Sequence, residues 1–215
     1  MTGRQYGTIG VVGVGLNVGA IVALHVLDPG LNPVREYIST YALGDYGWLE
    51  RVAGVALGVG AIAIALGLRV TLASGKRVTT SWVLVLIAGL GFVVSELFAT
   101  DPTGAATTTV SGAIHDIAGD VTLLSVLISA WVLRGVFARD SRYEHLARAE
   151  AWFAVLLTVA LVLLFALYPL RLVGHLLSRH GLSGGRACPE RLRRPRRAGT
   201  GRGSQAARRG VSARH

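Results

Sequence analysis

The chain of 215 residues is 52% hydrophobic and only 16% charged, with a mean hydropathy of +0.52. That balance excludes an ordinary soluble domain and places the chain in the membrane class. Its formal net charge of +10 sits at one end: residues 1–170 hold ten basic and eleven acidic groups, while twelve arginines and one acid, Glu190, follow from Arg171. A lone cysteine, Cys188, excludes an intrachain disulfide.

A bilayer core of about 30 Å needs roughly 20 apolar residues in a helix. Five stretches meet that length, at 8–27, 51–73, 82–100, 111–135 and 151–170. Each must be helical, because lipid offers the backbone no hydrogen-bond partner. The expected fold is therefore all-α, a polytopic transmembrane bundle with five clear spans. The first span lacks the short apolar core and small-residue cleavage site of a signal peptide, so it is read as retained. Within it, "GVGLNVG" has neither the spacing nor the preceding strand of a nucleotide-binding loop. Gly15 with Gly19, and Gly54 with Gly58, are instead small-residue pairs four apart, which let helices approach closely. Gly89, Gly112 and Gly119 extend the set, and such faces could also join copies of the chain into an oligomer. Asn17, alone near the middle of the first span, is expected to hydrogen-bond a neighbouring helix.

The loop at 28–50 reads "DPGLNPVREYISTYALGDYGWLE". Asn32 followed by Pro33 is a helix-start pattern. Val34, Tyr37, Ile38 and Tyr41 then make an apolar stripe, and Gly44 stops it. These features predict a short amphipathic helix at the interface, with Tyr46 and Trp48 in the aromatic belt. It could cover a polar pocket and present Ser39 to it. A plain interfacial anchor is the favoured alternative.

Arginine and lysine in short loops set the orientation. One side carries Arg4, Arg69, Lys76, Arg77, Arg134, Arg139, Arg142 and Arg148; the other carries Arg35 and Arg51. Eight against two predicts a multi-pass cell-membrane protein with a cytoplasmic N-terminus and with loops 28–50 and 101–110 outside. The bundle is assigned to residues 1–175 and a basic, disordered tail to 176–215. Five spans would leave that arginine-rich tail outside, against the charge rule. "RLVGHLLSRHGL" is too short and too polar to serve as a sixth span. The abrupt change in composition favours an out-of-frame replacement of a lost sixth helix. A native disordered arm touching anionic lipid head groups is the other reading. Nucleic-acid binding is not expected, because no aromatic residues are interleaved to stack bases.

Ionisable groups collect at the predicted outer ends of the spans. They are His25, Asp28, Glu96, Asp101, His115, Asp116 and Asp120. A charge at the centre of a span costs about 2.5–3.5 kcal/mol on insertion scales. Such groups therefore tend to face a bundle interior or a water-filled cavity. Asp116 and Asp120, four apart, share a helix face. The expected pocket is lined by His25, Asp28, Ser39, Glu96, Asp101, His115 and Asp116, and would bind or move a small ligand. His25, Asp101 and His115 could instead hold a divalent metal such as zinc or iron and lower the pKa of a bound water, making a hydrolase near the lipid surface. No H-E-x-x-H or similar tight metal signature supports that. The structural alternative is that these groups cap helix ends and pair with one another. Asp28 before Pro29 and Asp101 before Pro102 are ordinary turn chemistry. A third reading is an accessory protein whose role is helix packing alone.

"HVLDPGLNPVREYISTYALGDYGWL", "FATDPTG" and "GAIHDIAG", in that order, resemble the bacterial membrane-protein family called domain of unknown function 998. The matching positions are Pro29, Pro33, Ile38 and Ser39, then Phe98 and Asp101, then Gly112 and His115. The resemblance covers about residues 8–170. It implies a polytopic bundle, usually of six helices, and the chain departs from it where the sixth should be. The family supplies no mechanism.

Overall fold

Thr2 starts the first helix. Its hydroxyl accepts from the Gln5 amide while the Gln5 side chain accepts from the Thr2 amide, so two of the helix's orphan donors are satisfied together. This is the start of α1 (Gly3–Leu27), followed by a 3-10 helix at Ile38–Leu43 and by α2 (Gly47–Thr71), α3 (Lys76–Leu97), α4 (Val110–Phe137) and α5 (Glu144–Arg179). The computed structural model describes residues 1–31, 36–103 and 105–179, with side chains as far as residue 166. Among the described residues there is no strand, and five helices are long and apolar enough to cross a membrane.

α2 and α3 stop two and three residues short of their expected spans. Every helix starts before its span, however, and α4 and α5 also end later, because hydropathy marks only the part that suits lipid. Helical hydrogen bonding continues into the polar flanks. α5 is the largest case: it begins at Glu144 and runs to Arg179, against an expected 151–170. The basic tail expected from residue 176 lies beyond Arg179 outside the described residues, as does its frame-shift reading.

The loop helix also differs from expectation. Its proposed start at Asn32 and Pro33 lies outside the described residues. The described part is a tight 3-10 helix over Ile38–Leu43, closed by Gly44 N–H donating to the Tyr41 carbonyl at 3.2 Å. At six residues this helix is too short to carry the expected stripe from Val34 to Tyr41. Tyr41 turns inward and is buried, while Ile38 faces out.

Packing follows chain order, each helix against the next. Small residues line these seams: Ala63, Ala65, Ala88, Ala154, Ser81 and Ser129 are buried, whereas Val11, Val26 and Trp152 are exposed at 73%, 74% and 65%. Large apolar groups outside and small groups inside is the arrangement that lipid permits. Gly10 and Gly13 of α1 carry the first seam. A Cβ on Gly13 would lie 2.5 Å from the Ala56 carbonyl oxygen and 3.1 Å from the Gly60 Cα. Gly58 and Gly89 carry the second, each 2.8 Å from the other's carbonyl oxygen when a Cβ is built. Gly15 and Gly19, expected to pack, instead face open space. Between α3 and α4 the Thr122 hydroxyl donates to the Ala88 carbonyl and the Ser129 hydroxyl to the Ser81 carbonyl, both at 3.3 Å.

The up-and-down order gathers the end of α1, the start of α2, the end of α3 and the start of α4 at one pole. Most of the acids lie there, and it is called the acidic end. The opposite pole, with the α2–α3 and α4–α5 turns, is the basic end.

Candidate ligand site at the acidic end

Glu50 stands in the first turn of α2, only 6% exposed. It falls in register with Gly54 and Gly58, so the face that meets α3 carries a carboxyl at its top. Glu96, in the last turn of α3, lies directly over Gly54: a Cβ there would come within 2.5 Å of the Glu96 Cδ. Glycine at 54 therefore makes the space in which Glu96 reaches Glu50. The two carboxyl groups lie within hydrogen-bonding reach of each other. Ionised carboxylates only accept hydrogen bonds, so a hydrogen bond between the two would require a proton on one of them. The Glu50 Oε2, buried in the seam, has no hydrogen-bond partner among the described residues. Arg51, half-buried beside Glu50, is close enough to act electrostatically on both acids.

His115, in the second turn of α4, completes the cluster. Its Nδ1 lies 2.7 Å from the Ser95 carbonyl oxygen and 3.1 Å from that of Phe98. Both partners only accept, so Nδ1 carries the hydrogen. The ring satisfies carbonyls that the end of α3 leaves without intrahelical donors. The Ser111 hydroxyl does the same for Ala99 at 2.9 Å. His115 thus fastens α4 to α3 and also lies close enough to Glu96 to interact with its charge.

The other expected residues separate into distinct groups. His25 Nδ1 donates to the Ile21 carbonyl of its own helix at 2.8 Å. Its Nε2 faces the Tyr41 hydroxyl at 3.4 Å, the rings meeting edge-on at 5.4 Å between centroids. Burial, reinforced by the charge of Glu36, raises the Tyr41 phenol above its ordinary pKa of 10.0. Asp28 caps α1 and accepts from the Gly30 amide at 3.1 Å. Ser39 is half-buried in the 3-10 helix, and Tyr41 rather than Ser39 reaches His25. Asp101 is a loop clamp. Its two oxygens accept from the Thr109 amide and hydroxyl, both at 2.8 Å, while the Thr109 hydroxyl accepts from the Gly112 amide at the start of α4. Asp116 and Asp120 are exposed on α4.

Among the described residues no three histidine, cysteine or acidic side chains are grouped to hold a metal ion. His25, Asp101 and His115, each with its own hydrogen-bond partner, are not brought together at one point.

Sequence reasoning missed Glu50, Arg51 and Tyr41. Glu50 and Arg51 fell at the boundary drawn between loop and span. The available signal was the four-residue register of Glu50 with Gly54 and Gly58, which puts the acid on a packing face.

Five apolar helices on small-residue seams define a multi-pass helical membrane protein. The chain belongs to the family described as "Protein of unknown function (DUF998)", whose profile matches residues 11–192. That match contains every motif named above and runs past residue 170 into the end of α5 and beyond. None of the curated proteins or solved structures compared with the chain matches it.

Proposed function

We propose that the chain binds and moves a small cation at its acidic end, trading it for the proton shared by Glu50 and Glu96. The observation that carries this reading is a carboxyl pair from two membrane-spanning helices, Glu50 buried and Glu96 half-buried, with one Glu50 oxygen lacking a hydrogen-bond partner among the described residues. Ionisable groups placed there are costly and tend to mark ion or proton pathways. With one proton on the pair, the remaining carboxylate balances Arg51. When the proton leaves and a monovalent cation enters, two carboxylates balance the cation and Arg51. The exchange keeps the buried cluster neutral in both states, which limits the desolvation cost of each. His115 holds the end of α3 in place, and so positions Glu96.

Proteoliposomes enclosing a pH-sensitive dye test this. An imposed sodium or methylammonium gradient should drive proton movement through the wild-type protein. Glu50→Gln and Glu96→Gln should each reduce it to the rate of protein-free vesicles. Glutamine keeps shape and a hydrogen-bond donor, so the seam should survive. Unchanged rates in both variants, or no proton movement in wild type with either cation, would overturn the reading.

A further inference from the structure

The basic end holds a cavity of about 520 Å³ between the α2–α3 turn and the α4–α5 turn. Lys76, Arg77 and Arg139 stand around it, with Leu72 and Val136 forming an apolar wall. The Arg77 guanidinium lies along α4, with Nη1 3.1 Å from where a Gly135 Cβ would stand. Three cations from two turns therefore border one space. Asp140 also borders it, but its carboxylate is held by Arg142 through two side-chain hydrogen bonds, at 3.0 and 2.7 Å. Those bonds keep the Asp140 carboxyl below its ordinary pKa. This is the sole ion pair among the described residues, and it leaves the three cavity cations without a protein counter-charge. The first turn of α3 adds free backbone amides, since Gly75 offers no capping side chain.

We propose that this cavity binds a phosphate group, and specifically the phosphodiester of an anionic membrane lipid. Uncompensated cations call for an anion, and arginine and lysine suit phosphate oxygens. The apolar wall beside them favours a lipid over free phosphate, because it gives the glycerol and upper acyl carbons a surface to cover. The site lies at the opposite pole from the carboxyl pair and stands independently of it.

Titration of the full-length protein in neutral detergent with phosphatidylglycerol, phosphatidylcholine or inorganic phosphate separates the sources. Phosphatidylglycerol should bind most tightly. The double substitution Lys76→Gln with Arg139→Gln should weaken it about twenty-fivefold, each cation near a lipid surface contributing about fivefold. Arg69→Gln serves as a control, since Arg69 stacks on Trp82 at 5.3 Å, outside the cavity, and should leave binding unchanged. In wild-type protein, phosphatidylglycerol should shield Lys76 from an amine-acylating reagent, a readout that needs no variant to fold. Undiminished binding by the double variant, an equal loss in Arg69→Gln, or no shielding of Lys76 would overturn the proposal. Inorganic phosphate binding as tightly as phosphatidylglycerol would overturn its lipid source.

Discussion

Tyr41 shows how a single side chain at the acidic end reports on its surroundings. The phenol is buried against His25, and its ionisation is opposed first by that burial and then by Glu36. The sign of the pH effect follows. Below the ordinary tyrosine pKa of about 10, folded and unfolded chains both keep the proton and no difference arises. Above it, the unfolded chain ionises first, so stability falls as pH rises towards the higher folded value. Thermal unfolding at increasing alkaline pH should show this loss in wild type and a smaller one in Tyr41→Phe. Equal losses would mean the phenol is not held neutral by the fold. At the same scale, the acids that looked alike in sequence have different roles. Asp28 and Asp101 are turn and loop fasteners, Asp116 is exposed, and Glu96 alone of them joins a buried partner. Their depth could be read from hydropathy. Their partners could not, because a hydrogen bond to Thr109 or to a backbone carbonyl depends on where a loop returns.

At the scale of the helix, existence was legible and seams only partly so. Every expected span is a helix, since a run of apolar residues of that length has no other solution in lipid. Choosing the glycines that pack was harder, because small pairs recur on several faces of α1. Gly10 and Gly13 meet α2, while Gly15 and Gly19 face open space. The difference can be measured. Gly13→Leu would drive a side chain into the backbone of Ala56 and Gly60, which cannot swing aside. It should destabilise the protein by about 1–3 kcal/mol, as overpacking does in close-packed interiors. Gly15→Leu should leave the melting temperature in detergent near that of wild type. A larger effect at Gly15 than at Gly13 would reverse the assignment of the α1 face. In the 3-10 helix the expected apolar stripe does not share one environment: Tyr41 is buried and Ile38 is exposed.

At the scale of the whole molecule, five helices pack in sequence order and divide their charge between two poles. One pole sets the buried Glu50 and the half-buried Glu96 beside an arginine and a histidine. The other surrounds a cavity with cations. The separation arises from the up-and-down path, which brings most of the acid-bearing helix ends to one side and the arginine-rich turns to the other. The account depends most on Glu50 and Glu96 holding a proton between them. Infrared spectroscopy of the protein in lipid at neutral pH reads a protonated carboxyl directly. Wild type should show such a band, and Glu50→Gln and Glu96→Gln should each remove it, because glutamine supplies the donor that the remaining carboxylate needs. A band absent from wild type, or one that survives either substitution, would contradict the shared proton and the cation exchange built on it.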